Sequence, residues 1–305
     1  MYRIILFSLF TAFITFSCKR STTVTVSETT DTSAIKQDTE VILVPSLTKA
    51  WETDTMFKTP ESVLYDPATN VLYVSNIGGV PPNKKDGDGF ISQVGLDGKV
   101  INLKWAKGFD APKGMAIVGN TLYVTDIDRI KAVDTKTGKT TNTWKVAGSS
   151  FLNDVAATPD SIVYFTDSDK RTIHMLQNGK VTSMYADTTI GGINGIYVDG
   201  NTFMLSGYES GNVYTMNIGD KSVHQVASEI PNGDGIERYR NGWLVSNWGG
   251  EVYYIDDKGR VTEVLDTQDA KLNSADIEVI EEKDLIIIPT FFGNRVTAYT
   301  LKIGV

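Results

Sequence analysis

The chain has 305 residues, of which 41% are hydrophobic and 22% are charged, and it contains one Cys and two His. The length and apolar content exclude a mainly disordered chain and predict a buried core in one large domain or two small ones, while the net charge of −8 at pH 7 argues against nucleic-acid binding. A single Cys excludes an internal disulfide and a multi-Cys zinc site, and two His leave little scope for His-based catalysis, so we expect any metal to be held by oxygen ligands.

The first eighteen residues have the pattern of an export signal. Arg3 precedes an apolar run over residues 4–14, which is too short to span a bilayer. The only Cys, Cys18, follows this run at the position where a bacterial lipoprotein carries its lipidated cysteine. We therefore predict a signal segment over residues 1–18 with lipid attachment at Cys18, which anchors the exported protein to the cell envelope on the periplasmic side. The alternative is an ordinary secretory signal with a periplasmic or secreted product.

Residues 19–40 are rich in Ser and Thr and show no apolar periodicity, which predicts a flexible tether. The folded domain is expected over residues 41–305. We expect this domain to be monomeric and to associate with a membrane through the N-terminal lipid alone.

A six-fold repeat organises residues 41–305. From the second copy onward, the second position of one short motif recurs at residues 113, 153, 194, 234 and 275, a spacing of 40 or 41. The six copies lie at residues 60–64, 112–116, 152–156, 193–197, 233–237 and 274–278. A second segment follows each copy, at residues 72–76, 122–126, 163–167, 203–207, 243–247 and 285–290. These segments are β-branched and aromatic runs between turn residues, which is the composition of strands.

Third and fourth strands are predicted after each second segment, and pairs such as Asp97-Gly98 supply the positive φ that tight hairpin turns require. Each unit is therefore predicted to be a four-stranded antiparallel sheet. Six such units match the radial repetition of an all-β, six-bladed β-propeller. An open solenoid is the alternative, but the units show no helical period, which argues against the helical solenoids.

The ring is predicted to close through an N-terminal strand. The chain ends in residues 295–301, which form the third strand of unit six and leave that unit without a fourth. Residues 47–54 are predicted to supply this fourth strand. Residues 49–52 precede unit one in the same way as residues 103–106 precede unit two, and the two segments are similar in sequence.

The innermost strands of a propeller line its central channel, and the residue at the start of each strand points to the channel mouth. That column of residues is Glu61, Lys113, Asn153, Asn194, Asp234 and Ala275. Two carboxylates and two amides from different blades suit Ca²⁺ or another hard divalent ion. Each of these Asp, Glu or Asn residues, taken alone, could be a turn residue whose side chain pairs with nearby backbone groups. Turn residues at equivalent positions of a repeat are expected to be alike, however, whereas these residues differ from blade to blade.

The ordered set Glu61, Asn153-Asp154, Asn194-Gly195 and Asp234-Gly235 resembles the signature of a known family. It is similar to the senescence marker protein (regucalcin), gluconolactonase and luciferin-regenerating-enzyme family of six-bladed propellers over residues 48–303. The resemblance implies that Glu61, Asn194 and Asp234 bind a divalent cation, Ca²⁺ first and Mg²⁺, Mn²⁺ or Zn²⁺ as alternatives, and that Asn153 contacts the substrate. Phe151 stands where sugar-lactonase members carry an Arg, so the resemblance supports the metal site more than a sugar substrate.

The function predicted from this set is metal-dependent hydrolysis of a lactone or related ester, including a sugar-derived one, with Asp234 as general base. Lys113, Asn153 and Asp154 are the inner-strand residues expected to contact this small-molecule substrate. His174 and His224 are predicted to lie in the third strand of blade three and the fourth strand of blade four, as packing or surface residues.

Loops at the same mouth are expected to form the substrate walls. Tyr208 and Trp248 follow second strands and offer aromatic surfaces, whereas Phe291 and Phe292 are better explained by blade packing. Blade one carries an insertion, residues 78–89, that is long enough to act as a lid. Asp86 and Asp88 within it imitate the start of a calcium loop but lack its remaining ligands, so a solvated turn is the better interpretation.

The competing hypothesis is a non-catalytic propeller that resembles NHL-type repeat proteins and binds a protein or glycan at the ring face. Any metal would then be structural and tie blades one, four and five together.

Overall fold

Six four-stranded antiparallel sheets make up the computed structural model, which describes residues 44–186 and 189–304. The sequence-based prediction of an all-β, six-bladed propeller is confirmed. The predicted signal segment, the lipid-attachment residue Cys18 and the tether lie outside the described residues. The part of the chain that is described contains no helix long and apolar enough to cross a membrane.

The chain enters with β1 (Val44–Glu52), which belongs to the last blade. Blades one to three follow in chain order as β2 (Pro60–Asp66), β3 (Val71–Asn76), β4 (Gly89–Gly95) and β5 (Val100–Phe109); β6 (Pro112–Val118), β7 (Thr121–Asp126), β8 (Arg129–Asp134) and β9 (Thr140–Lys145); and β10 (Leu152–Ala157), β11 (Val163–Asp167), β12 (Thr172–Gln177) and β13 (Lys180–Ala186).

Blades four to six are β14 (Ile193–Asp199), β15 (Thr202–Gly207), β16 (Asn212–Asn217) and β17 (Val223–Ala227); β18 (Gly233–Tyr239), β19 (Gly242–Asn247), β20 (Glu251–Ile255) and β21 (Val261–Asp266); and β22 (Glu278–Ile280), β23 (Leu285–Pro289) and β24 (Val296–Gly304). Two three-residue 3₁₀ turns, Glu281–Lys283 and Phe291–Gly293, flank β23. The inner strands of neighbouring blades contact one another around the whole ring, from β2 beside β6 to β22 beside β2.

The hydrophobic core lies between neighbouring blades. Tyr73 and Ile91 of blade one pack in one buried cluster with Met115 and Leu122 of blade two, and similar clusters recur around the ring. Each such side chain stabilises the fold by roughly 1.5–3 kcal/mol when it leaves water. The outermost strand of a blade contributes less to this core, because one of its faces meets solvent. Strand β9, for example, exposes every side chain except that of Trp144.

Hairpin turns connect the outer strands where the sequence predicted them. Gly98 and Gly179 have φ values of +79° and +74°, which side chains with a Cβ rarely adopt. The turn glycines therefore set the ends of the third and fourth strands.

The sixth blade takes its outer strand from the N-terminal part of the described chain. Strand β1 pairs antiparallel with β24, from Val44 opposite Gly304 to Glu52 opposite Thr297. An ion pair of 3.1 Å between Arg295 and Glu52 supports the end of this pairing. The strand begins three residues before the expected segment 47–54 and ends two residues earlier than it.

Candidate functional site

A β-bulge occurs at the same place in each of the first five inner strands. The pairing of β2, β6, β10, β14 and β18 with their second strands shifts register between the first and the fourth residue. The bulged residues include the predicted column, namely Glu61, Lys113, Asn153, Asn194 and Asp234. Bulges re-aim side chains and are common beside active sites. The local irregularity of the ladder thus turns these five side chains toward the mouth of the channel.

A column of buried hydroxyl groups forms hydrogen bonds with the backbone groups that the bulges leave unpaired in the strand ladder. The Thr166 hydroxyl accepts a hydrogen bond from the Asp154 N–H at 3.0 Å and donates one to the Asn194 carbonyl oxygen at 2.8 Å. Equivalent bonds reach the carbonyl oxygens of Asn153 and Asp234 from Thr125 and Ser206. Each of these site residues is therefore held by the blade before it. The recurring Ser or Thr in the second strands was the signal for this column, which the sequence analysis had missed.

Two glycines let the inner strands approach closely at the site. A Cβ on Gly195 would lie 2.2 Å from the carbonyl oxygen of Asp234, and one on Gly235 would lie 2.4 Å from Oδ1 of Asp276. Neither glycine has a positive φ. The Asn194-Gly195 and Asp234-Gly235 pairs thus reflect close contact between blades and not a turn.

The bulged residues open into a cavity of about 370 Å³ at the start of the inner strands, which we call the mouth cavity. Seven predicted residues line it: Glu61, Lys113, Asn153, Asn194, Asp234, Tyr208 and Trp248. The other lining residues are Ile77, Pro82, Phe151, Ser168, Asp169, Gly192, Glu209 and Phe291. Among these, Ile77, Ser168, Asp169 and Glu209 were missed, because they come from loops whose conformation no repeat spacing predicts, whereas Pro82 belongs to the insertion that was predicted as a lid.

Two acceptor atoms in the mouth cavity are buried without a hydrogen-bond donor. Oε2 of Glu61 and Oδ1 of Asn194 have no partner among the described residues, although both residues are only 5% exposed. The amide group of Asn194 lies beside the carboxylate of Asp234. Buried polar atoms are nearly always paired, so unpaired ones indicate a missing ion or water. Oxygen atoms from two carboxylates and one amide are ligands that a hard divalent cation prefers.

Crowding of negative charge accompanies these unpaired atoms. Burial, followed by the charge of Asp234, raises the pKa of Glu61 well above its ordinary value. Burial and the charge of Asp276 do the same to the pKa of Asp234. Within residues 44–186 and 189–304, no three His, Cys, Asp or Glu side chains are grouped as metal ligands. A cation site here therefore depends on the Asn194 amide as well as on the two carboxylates.

Among the described residues, Lys113 is the one cationic side chain that lines the mouth cavity, and it is 1% exposed. Its Nζ donates to the carbonyl oxygens of Pro82 at 2.9 Å and Ala111 at 3.3 Å, and it lies 4.5 Å from the centroid of the Phe151 ring. Burial lowers the pKa of Lys113, and the charge of Glu61 opposes that shift. The lysine thus connects an inner strand to the insertion of blade one.

The insertion itself borders the cavity and is attached to blade two. Pro82 lines the mouth cavity, Lys85 pairs with Asp128 at 2.6 Å, and the Gly87 N–H donates to Asp110 at 3.1 Å. The insertion lies beside the mouth in this attached arrangement. Its role as a lid stays a prediction.

The aromatic residues at the mouth differ in exposure. Trp248 contacts Phe291 and Phe292 edge-to-face, with ring centroids 5.4 and 5.9 Å apart. Phe291 is 5% exposed and packs with Ile77 and Trp248, whereas Phe292 is 53% exposed. Phe291 therefore both packs against the blades and lines the cavity. Phe292 was expected to be buried by packing between blades, but it is exposed.

Asp154 lies elsewhere in the channel. It lines a second cavity of about 260 Å³, further along the inner strands, together with Glu237 and Asp276. Its carboxylate accepts hydrogen bonds from the N–H groups of Val155 at 2.6 Å and Ile196 at 2.8 Å. The structure thus gives Asp154 backbone contacts between blades, outside the mouth cavity in which a substrate contact was predicted.

The two histidines lie on the predicted strands and away from the mouth cavity. His174 of β12 is buried beside the hydroxyls of Ser149 and Ser183, at 3.4 and 3.3 Å, and His224 of β17 is exposed. Neither lines the mouth cavity.

Comparison with solved structures supports the fold. A gluconolactonase from Xanthomonas campestris is similar over 81% of this chain and 87% of its own, with a TM-score of 0.64 and 17% identity. Virginiamycin B lyase from Staphylococcus aureus covers 84% of this chain and 99% of its own, with a TM-score of 0.61 and 14% identity. A catalytically inactive histidine-to-alanine variant of that lyase, with quinupristin, has a TM-score of 0.59 and 12% identity over the same shares.

At these identities the likeness shows the six-bladed propeller fold and no particular family. No family model matches the chain, and no curated protein matches it.

Proposed function

We propose that the chain is a divalent-metal-dependent hydrolase that acts on a lactone or related ester in the mouth cavity. The observation that carries the proposal is the pair of buried, unpaired acceptors, Glu61 Oε2 and Asn194 Oδ1, beside the carboxylate of Asp234. The resemblance of this residue set to gluconolactonase-type propellers and the gluconolactonase among the structural neighbours support the same class of reaction.

Glu61, Asn194 and Asp234 would hold the cation, and their hard oxygen atoms favour Ca²⁺, with Mg²⁺, Mn²⁺ and Zn²⁺ as alternatives. When bound, the ion would polarise the carbonyl group of an ester and offset the negative charge that develops on its oxygen.

The chain's own residues would carry out the remaining tasks. Asp234 is assigned as general base: it takes a proton from the attacking water, whose hydroxyl joins the acyl carbon, and it returns that proton to the departing oxygen as the acyl C–O bond breaks. Asn153, whose amide donates to the Ser168 hydroxyl at 3.2 Å, would orient the substrate with its remaining oxygen. Tyr208 and Trp248 would cover the substrate and exclude bulk water.

The position of the histidines favours hydrolysis over a histidine-dependent lyase reaction. The inactive virginiamycin B lyase variant lacks a histidine, whereas neither His174 nor His224 lines the mouth cavity of this chain. A second candidate function is non-catalytic binding of a protein or glycan at the ring face. The exposed ring of Phe292, which contacts Trp248 of the mouth cavity, favours that alternative.

Thermal unfolding of the chelated protein with and without added Ca²⁺, Mg²⁺, Mn²⁺ or Zn²⁺ tests the proposal. At a hundredfold excess over its dissociation constant a cation stabilises by about 2.7 kcal/mol, which raises the Tm by roughly 5–11 °C for a domain of this size. The shift should vanish in Asn194→Ala and Asp234→Ala and persist in Asn142→Ala, an exposed position on β9.

A cation-dependent shift then justifies assays of lactone and ester hydrolysis with that cation present. No shift with any of the four ions would refute the metallohydrolase. A shift without hydrolysis of any lactone or ester would support the binding protein with a structural ion.

A further inference from the structure

The walls of the mouth cavity differ in chemistry, and this difference bears on the substrate. The unpaired acceptors of Glu61 and Asn194 lie on the inner strands. Residues Ile77, Trp248 and Phe291 line the same cavity and belong to one continuous apolar cluster. We call these three residues the apolar wall. A ligand with its reacting group at Glu61 and Asn194 therefore has an apolar surface within the same cavity.

The apolar wall is preformed. The main chain of Trp248 donates from its N–H to the Asn232 carbonyl oxygen at 3.1 Å and accepts from the Asn273 side chain at 2.8 Å. Its ring rests edge-on against Phe291. Because these contacts already hold the indole in place, a ligand loses little free energy in ordering it.

Several polar side chains that line the cavity are already engaged within the protein. Lys113 donates to Pro82 and Ala111, Asn153 donates to Ser168, Asp169 accepts from Ser150, and Glu209 pairs with Arg171 at 2.6 Å. No arginine among residues 44–186 and 189–304 lines the cavity. A polyhydroxylated ring would need free donors and acceptors around its edge, and it would lose hydrogen bonds to water against the apolar wall.

We propose that the substrate is a lactone or ester that bears an apolar alkyl or aryl substituent, which packs on Ile77, Trp248 and Phe291 while the carbonyl group faces Glu61, Asn194 and Asp234. This inference rests on the proposed function and names its substrate class. The volume of about 370 Å³ is near the lower end of small-molecule sites. It suits one small ring with a short substituent and not a polymer.

The test compares matched ligands that share one ring and differ in the substituent. We expect kcat/KM for δ-octalactone to exceed that for δ-valerolactone by at least tenfold, since each buried methylene contributes about fourfold, and to exceed that for glucono-δ-lactone. The Trp248→Ala variant should remove most of the alkyl preference, because it should lower kcat/KM for δ-octalactone several-fold more than kcat/KM for δ-valerolactone. The control Trp144→Ala, on the outer strand β9, should keep the preference.

Calorimetric binding of the corresponding lactams, which are not hydrolysed as esters, separates this inference from the hydrolase proposal. Preferential binding of the propyl-substituted lactam that is lost in Trp248→Ala would support the apolar substituent, even if the protein hydrolyses no ester. The absence of ester hydrolysis would refute the hydrolase proposal but not the apolar substituent. Faster hydrolysis of glucono-δ-lactone than of δ-octalactone would overturn the apolar substituent and leave the hydrolase standing. Equal binding of both lactams would also overturn it.

Discussion

The ammonium group of Lys113 lies 2.9 Å from the carbonyl oxygen of Pro82, so a buried side chain of blade two holds the long insertion of blade one. The second bond of Lys113 reaches Ala111, in the connection between β5 and β6. The ion pair between Lys85 and Asp128 ties the same insertion at the surface, where the Lys85 side chain is 48% exposed. The two attachments differ in burial and are expected to differ in strength.

Replacement of Lys113 by Met tests the buried attachment. We expect the amide hydrogens of residues 79–86 to exchange several-fold faster, because the bond to Pro82 is lost. Global stability should change by no more than about 1 kcal/mol, since the lost hydrogen bonds are offset by relief from burying an ammonium group. Hydrogen-exchange mass spectrometry measures the first effect and urea unfolding the second. Lys85→Met serves as the exposed comparison and should change exchange less; equal exchange in Lys113→Met and wild type would contradict the assignment.

Thr166→Val tests the hydroxyl column. Valine has nearly the shape of threonine, but it can neither accept from the Asp154 N–H nor donate to the Asn194 carbonyl oxygen. Two backbone groups would be left buried and unpaired, at a cost of about 2–4 kcal/mol in unfolding free energy. The cation-induced Tm shift should also shrink, because Asn194 loses its tie to blade three. Thr143→Val, at an exposed position of β9, should be nearly neutral in the same urea titration, and a loss below about 1 kcal/mol at residue 166 would argue against the column.

Gly195→Ala tests the close approach of blades four and five. The added methyl group would lie 2.2 Å from the Asp234 carbonyl oxygen, so one of the two inner strands must move. Overpacking of this kind costs about 1–3 kcal/mol, and the displacement should weaken cation binding because Asp234 shifts with its backbone. Gly79→Ala is a matched control, since nothing lies within 4 Å of the added methyl group there. Equal melting temperatures for the two variants would show that the strands yield freely.

Much of the fold could be predicted because the sequence pattern of the same four strands recurs several times, at a spacing of 40 or 41 residues. Alternation of apolar and polar residues within one strand is a weak signal of fold. Six copies of the same strand pattern at a constant spacing, in contrast, indicate a single architecture, the β-propeller. The mouth residues Glu61, Asn194 and Asp234 could be found for the same reason: the repeat assigns them to one position in the blade.

Side-chain direction within that position could not be predicted. Asp154 follows Asn153 directly, but the bulge turns its carboxylate toward the Val155 and Ile196 N–H groups and away from the mouth cavity. Loop residues such as Ile77 and Glu209 were missed because the contacts that bring them to the cavity depend on tertiary structure. Phe292 was expected to pack between blades, yet the 3₁₀ turn Phe291–Gly293 buries Phe291 and leaves Phe292 exposed.

The half-buried carboxylate of Glu278 leads to a prediction about pH. Its Oε2 accepts a hydrogen bond from the Tyr65 N–H at 2.6 Å, and the neighbouring charged groups are Glu237, Asp276 and Glu282. Burial is the main cause that raises the pKa of Glu278 from 4.5 to about 8. Between these two values the folded state binds more protons than the unfolded state, so the contribution of this group to stability falls as pH rises.

Glu278→Gln should therefore flatten the dependence of unfolding free energy on pH between about 5 and 8. One group contributes a slope of at most about 1.4 kcal/mol per pH unit, and the glutamine keeps an oxygen that can accept from the Tyr65 N–H without carrying a charge. The variant should gain stability relative to wild type as pH rises, and the gain should level off only above pH 8. Urea unfolding at several pH values measures the slope, and Glu263→Gln on β21, whose side chain is exposed, should leave it unchanged. A slope as steep in Glu278→Gln as in wild type would mean that the carboxyl group of Glu278 does not hold its proton in this pH range.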